Sequence, residues 1–267
     1  MNRPLALVTG ASKGIGQALA QELAKHGYDL FLVARNPEEL ALVSQSLSSS
    51  YSVQAEWMAI DLSVADQQKH LIEQVQNRFS ERLRILVNNA GYGLWGWFHE
   101  LNVEEQLRML HVNVHAPLVL THALLPILAR NGPSYVLNIS SSTAYQALPT
   151  MTVYAASKSF MVQFSRGLHH ECRRLGLPVS VTCVSPGSTR THFIDRARME
   201  PLRQMADRFG MDPEQVARIA IGAMFRGKAE VVPGALNKAG AALARYLPKA
   251  WVEKAAANIY VSKLNKD

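Results

Sequence analysis

Tyr154 and Lys158 stand four residues apart in Tyr154-Ala155-Ala156-Ser157-Lys158. On a helix, that spacing puts both side chains on one face. A free phenol ionises near pH ~10, too high for ready proton exchange at neutral pH. An ammonium beside it favours the phenolate and lowers that value. The pair therefore suits proton transfer to or from an alcohol or carbonyl oxygen. A Tyr and a Lys four apart also occur on ordinary helices, so the surrounding residues must decide. Upstream lies Ser140-Ser141-Ser142, with Ser141 thirteen residues before Tyr154. A serine hydroxyl there can donate to the same oxygen.

A second run, Thr9-Gly10-Ala11-Ser12-Lys13-Gly14-Ile15-Gly16, follows a short apolar segment and opens a helical pattern. Its glycines let the backbone turn tightly and approach a pyrophosphate. The helix behind them offers free N–H groups and a positive dipole to the phosphates. A strand before the loop and a helix after it favour this reading over a purely structural turn.

These residues need elements that bring them together. Residues 5–9, 30–33, 53–60, 85–87, 135–139, 179–184 and 230–232 read as strands. Several are apolar on consecutive residues, as expected where both faces of a sheet are covered. Residues 15–26, 37–47, 64–79, 103–129, 153–175 and 213–225 read as helices. The alternation predicts an α/β fold: a Rossmann-type, doubly wound, parallel seven-stranded sheet with helices on both faces. A chain of 267 residues fits one such domain. Ser48-Ser49-Ser50 reads as a helix-to-strand loop.

The motifs fall in a set order. The TGxxxGxG loop comes first, then Asn88-Asn89-Ala90-Gly91, Val112-Asn113-Val114, Ser141, the YxxxK pair, and Ser185-Pro186-Gly187-Ser188-Thr189-Arg190-Thr191. In this order, over residues 9 to 191, the sequence resembles the short-chain dehydrogenases/reductases. The resemblance implies hydride transfer between a nicotinamide and a substrate carbon, with Tyr154 supplying or taking the proton. It assigns the orienting hydroxyl to Ser141; Ser140 and Ser142 are register alternatives. It makes Asn113 the support of a water that links Lys158 to solvent. It places Gly10, Ser12, Lys13, Gly14, Ile15 and Gly16 around the phosphates, with Asp61 and Leu62 at the adenine. Asn89, Ala90 and Gly91 fall near the ribose, beside Tyr154 and Lys158. Pro186, Gly187, Ser188 and Thr189 fall near the carboxamide, and Thr191 near the carboxamide or a phosphate. A plainer role for Asp61 or Ser63 is an N-cap for the helix near Val64.

The second strand ends Leu32-Val33-Ala34-Arg35. NAD binders usually carry an acid there, for the ribose hydroxyls. Here a guanidinium follows, able to pair with a 2′-phosphate, and Lys13 can reach the same group. This favours NADP(H), and with NADPH the reduction of a carbonyl is the expected direction. Trp95, Tyr145, Leu148 and Met151 are candidate pocket residues, and residues 191–211 the cover of a largely apolar substrate. No metal site is expected: Cys172 and Cys183 have no ligand spacing, and His111 and His115 read as structural.

The formal charge is +7, and residues 195–267 hold 13 Lys/Arg against 8 Asp/Glu. No nucleic-acid-binding pattern accompanies that charge, so a small-molecule carbonyl or alcohol is the expected partner, not nucleic acid. The long helices over 103–129 and 153–175 suggest a homodimer or homotetramer. The start of the chain lacks a signal-peptide pattern and no uninterrupted apolar run nears ~20 residues, so the expectation is cytoplasmic. Residues 236–267 form a basic extension that Pro248 should break. A helical hairpin packed on the core or over the site is favoured there over a membrane anchor. Two other functions compete with a carbonyl reductase: a non-catalytic NADP(H)-binding sensor and a membrane-associated lipid-pathway ketoreductase.

Overall fold

Seven parallel strands lie in the order β3-β2-β1-β4-β5-β6-β7. They are β1 (Leu5–Thr9), β2 (Asp29–Ala34), β3 (Ala55–Ala59), β4 (Leu83–Asn88), β5 (Ser134–Ile139), β6 (Val179–Val184) and β7 (Glu230–Val231). The computed structural model describes residues 3–191, 193–197, 199–203, 208 and 210–264.

The strand pleat sends alternate residues to opposite faces. Ala6 and Val8 of β1 join one core with Leu19 and Leu23 of α1 (Gly14–Lys25), Leu40 of α2 (Pro37–Tyr51) and Ile221 of the later helix α8 (Pro213–Phe225). Leu5 and Leu7 face the other way. They meet Leu71 and Val75 of α3 (Ala65–Phe79) and Leu120 and Leu124 of α5 (Ala116–Asn131). Both sheet faces are thus covered, which is why the inner strands are apolar without alternation.

Two stretches depart from the sequence expectation. Ser48-Ser49-Ser50 belongs to α2, which runs to Tyr51 and stops at Ser52 with φ of 54°. The Ser49 hydroxyl bonds back to the Ser46 carbonyl, and the Tyr51 hydroxyl accepts from Gln21 at 2.9 Å. The tertiary bond between Tyr51 and Gln21 anchors the end of the helix against the weak helix propensity of serine. The helix expected over 103–129 has three parts: α4 (Val103–Leu110), a π-helical turn over His111–His115, and α5. By length and composition, Val103–Asn131 would also suffice to cross a membrane. In this fold Ala116, Leu120, Leu124 and Leu128 are buried in the core.

Past β5, a 3₁₀ turn (Ser142–Tyr145) leads into α6 (Thr152–Arg174). After β6 come α7 (Phe193–Ala197) and a 3₁₀ turn (Glu200–Leu202) within the expected cover. This excursion is pinned at its neck. Ser188 accepts from Met211 N at 3.0 Å, Arg190 N donates to the Met211 carbonyl at 3.0 Å, and Arg190 pairs with Asp212 at 2.6 Å. The tail folds as α9 (Ala235–Tyr246) and α10 (Lys249–Leu264), parted at Pro248.

Candidate active site

β1 and β4 are neighbours in the sheet but not in the chain, and the crevice opens at their carboxyl ends. Such switch points are where open α/β sheets bind ligands. A cavity of about 510 Å³ runs from Lys13, Arg35 and Asp61 past the glycine loop to Ser141, Tyr154 and Lys158.

The glycine loop is built for close approach. Gly10 has φ of 65°, a conformation that costs an L side chain energy. A Cβ on Gly16 would stand 2.0 Å from the Gly10 carbonyl oxygen. Asn89 holds the loop from the side: its Nδ2 donates to the carbonyls of Thr9 at 3.0 Å and Gly10 at 3.1 Å. The Thr9 hydroxyl accepts from the backbone N–H groups of Asn89 and Ala90. Thr9 thus ties the first motif to the second, a role its type alone did not signal. With no Cβ at Gly10, Gly14 and Gly16, the loop at the start of α1 fits the diphosphate of a dinucleotide.

At the outer end, Asn36 caps α2 by accepting from Glu38 N and Glu39 N, which fixes the chain just after Arg35. Arg35 lines the cavity. Lys13 does too, but its ammonium pairs with Glu39 at 3.0 Å. Glu39, four residues past Arg35, also lines the cavity, so an acid shares it with the two cations. Asp61 and Leu62 line the same end. Asp61 does not cap α3, whose N-cap is Val64; it accepts from Ser63 N at 2.9 Å and Ser63 Oγ at 2.8 Å. Burial would raise the Asp61 carboxyl, but the Ser63 bonds outweigh it, with help from Arg35 and Arg108, and hold the group below its ordinary value.

At the inner end, Tyr154 and Lys158 leave α6 on one face and are both buried. Ser140 donates to the Lys158 carbonyl at 2.7 Å, which locks β5 to α6. Of the three serines, Ser141 is the one whose hydroxyl bears on the Tyr154 phenol, while its oxygen accepts from Thr143 N at 3.2 Å. Lys158 Nζ donates to the Ile139 carbonyl at 3.0 Å. Burial raises the Tyr154 phenol strongly; the nearby Ser141 hydroxyl opposes this and Tyr260 adds to it. Burial also lowers Lys158 to about 8. The expectation that the ammonium would lower the phenol is therefore not met in the protein alone: desolvation penalises both charged forms and dominates.

Asn113 lies in the π turn, a local feature often found at functional sites. Its Oδ1 accepts from Tyr92 N at 3.1 Å. Its Nδ2 donates to the Tyr92 carbonyl at 2.9 Å and to Ser157 Oγ at 3.1 Å. A Cβ on Gly91 would stand 3.0 Å from Asn113 Oδ1 and 3.2 Å from Lys158 Nζ. Gly91 thus lets the two side chains crowd the loop after β4. His111 and His115 flank this turn with rings 5.3 Å apart, and His115 bonds Gln68. Among the described residues, no three His, Cys, Asp or Glu side chains group as a metal site.

Ile15, Ala90, Pro186, Gly187, Ser188, Thr189 and Thr191 complete the cavity wall beside Ser12 and Gly14. Thr191 touches the Gly14 position with its methyl group and accepts from Phe193 N. Of the four candidate pocket residues, only Met151 lines the cavity. Trp95 and Leu148 are buried in the cluster that backs it. Tyr145 turns away, and its hydroxyl bonds Glu230, which also pairs with Arg166. The apolar wall instead comes from Phe193, Ile194, Met199 and Tyr260. The Phe193 ring lies 5.4 Å from that of Tyr154. Tyr260 sits on α10, so the tail contributes to the site. Its distance along the chain hid this role.

A model of the short chain dehydrogenase family matches residues 4–201. Hydroxysteroid dehydrogenase-like protein 1 of Gallus gallus is 31% identical over 232 residues, which cover 86% of this chain and 67% of that protein. An uncharacterized oxidoreductase of Staphylococcus saprophyticus is 31% identical over 223 residues, covering 82% of this chain and 90% of its own. A short-chain dehydrogenase from Sphingobium yanoikuyae, solved with NADPH, superposes with a TM-score of 0.79 at 28% identity, covering 92% of this chain and 97% of that one. With a family match that takes in the glycine loop, the Tyr154–Lys158 pair and the turn at Pro186, the chain belongs to the short chain dehydrogenase family of oxidoreductases.

Proposed function

We propose that the protein is an NADP(H)-dependent carbonyl reductase acting on a largely apolar substrate, with Tyr154 as the general acid. The observation that carries this reading is one continuous cavity. It has Lys13 and Arg35 at one end and Ser141, Tyr154 and Lys158 at the other. Two cations suit a 2′-phosphate, and the Sphingobium relative was solved with NADPH. The nicotinamide, when bound, supplies the hydride.

The chain's own residues handle the proton. Burial keeps Tyr154 in its phenol form at neutral pH, which is the form a reduction requires. Its hydroxyl donates to the substrate carbonyl oxygen, and Ser141 donates to the same oxygen and orients it. Lys158, held by the Ile139 carbonyl, stabilises the phenolate left behind. Asn113 keeps Tyr92 and Ser157, the neighbour of Lys158, in register. Phe193, Ile194, Met199 and Met151 exclude water from the reacting carbon.

A panel of aldehydes, ketones, β-ketoacyl thioesters and steroids, assayed with NADPH and with NADH, tests this reading. It predicts NADPH oxidation with at least one apolar carbonyl class. Tight NADPH binding with no turnover across the panel would instead mark a sensor.

We also propose a homodimer or homotetramer formed through α4, α5 and α6. Leu107, Leu118 and Phe160 are exposed along these helices, and Phe160 stacks on Phe164 at 5.7 Å. Light scattering at several protein concentrations measures the state.

A further inference from the structure

The tail hairpin has two unlike faces. Its inner face is docked. Asn237 of α9 packs on the Pro186-Gly187 turn so closely that a Cβ on Gly187 would stand 2.2 Å from its Oδ1. Ala256 is buried and Tyr260 lines the cavity. The outer face is bare. Leu236 is 81% exposed, Leu243 55%, Tyr246 83%, Leu247 42% and Trp251 70%. Leu236, Leu243 and Leu247 recur at spacings of seven and four, which puts them on one stripe of α9 that continues to the elbow. Tyr246 and Trp251 stand on either side of the Pro248 break. Exposed apolar groups gathered in this way mark a binding surface.

The charge around the stripe selects the occupant. Residues 235–264 carry five Lys or Arg and one acid, Glu253. Lys249 and Lys254 are exposed around Trp251. A second copy meeting this face about a two-fold axis would set one basic surface against another, with Glu253 the one acid to offset it. An anionic lipid surface takes both features: leucines enter the acyl boundary, Tyr and Trp sit at headgroup level, and lysines meet the phosphates.

We propose that the outer face of the α9–α10 elbow docks on anionic membrane, with Leu243, Tyr246, Leu247 and Trp251 inserted and Lys249 and Lys254 on the headgroups. The same hairpin lends Tyr260 to the cavity, so docking sets the apolar chamber beside the phase in which an apolar substrate dissolves. The binding is read without turnover and stands apart from the redox reading.

The test is co-sedimentation of the full-length protein with vesicles of phosphatidylcholine, alone or mixed with phosphatidylglycerol. The expected result is binding to the mixed vesicles that exceeds binding to phosphatidylcholine by about tenfold or more and weakens with salt. The double variants Tyr246→Ser/Trp251→Ser and Lys249→Glu/Lys254→Glu should each lose about tenfold or more of it while keeping the wild-type melting temperature and NADPH affinity. Absence of wild-type binding to the mixed vesicles would overturn the proposal. So would variants that bind as the wild type does. A third overturning result is a Tyr246→Ser/Trp251→Ser protein that splits an oligomer by light scattering while the wild type ignores vesicles; the face would then belong to a second copy.

Discussion

Lys158 holds its ammonium 5.8 Å from the centre of the Tyr154 ring while donating to the Ile139 carbonyl. Both side chains are buried, and burial moves their proton affinities in opposite directions, the phenol up and the ammonium down to about 8. At neutral pH the pair is phenol and ammonium, the state the proposed reduction uses. Above pH of about 8, Lys158 loses the charge that stabilises the phenolate. The rate of carbonyl reduction should therefore fall as pH rises through that value. A pH profile of kcat/KM checks this, and a Lys158→Arg protein should shift the fall to higher pH.

The same shift bears on stability. The folded protein holds the Lys158 proton less tightly than the unfolded chain, whose lysine keeps its ordinary value of 10.5. Between about 8 and 10.5 the unfolded state binds more protons, so this group's contribution to stability rises with pH. Lys158→Met should stabilise the cofactor-free protein at pH ~7 by up to roughly 3 kcal/mol, less the cost of the freed Ile139 carbonyl. The gain should shrink as pH rises from about 8 and vanish above about 10.5. Denaturant titrations of both proteins across pH measure it.

Glu39 competes for Lys13 at the outer end of the crevice. Glu39→Gln should release Lys13 and strengthen NADPH binding more than NADH binding. Arg35→Ala should weaken NADPH binding by roughly tenfold to a hundredfold, the worth of a charge-assisted bond. Titrations of both cofactors decide. An unchanged preference in Arg35→Ala removes that residue from the account.

Gly16 leaves no room for a side chain beside the Gly10 carbonyl. Gly16→Ala should deform the loop, lower stability by roughly 1–3 kcal/mol and weaken NADPH binding by about tenfold or more. A melting curve and a binding titration on the same sample separate the two effects.

The sheet was legible because buried parallel strands are apolar on consecutive residues, as in β1 and β2, and because glycines mark the loop after β1. Tyr154 and Lys158 stand out as residue types four apart, while Ser141 and Asn113 are singled out by the ordered motifs of the family resemblance. Three things were not. The serines at 48–50 look like a turn, but the tertiary bond of Tyr51 to Gln21 anchors the helix end beyond them. The π turn at Asn113 shows no propensity signal, and the three hydrogen bonds that Asn113 makes to Tyr92 and Ser157 reach across the fold. The cavity wall was misplaced onto Trp95, Tyr145 and Leu148. Aromatic and apolar residues near a site in sequence turn into the core as readily as into the cavity, while Tyr260 arrives from far along the chain.

The most direct test replaces Tyr154 by Phe and measures turnover and NADPH binding on the same preparation. Loss of the general acid should lower kcat by about a hundredfold or more while the NADPH dissociation constant stays within about twofold. A Tyr154→Phe protein that reduces its carbonyl substrate at the wild-type rate would contradict the assignment.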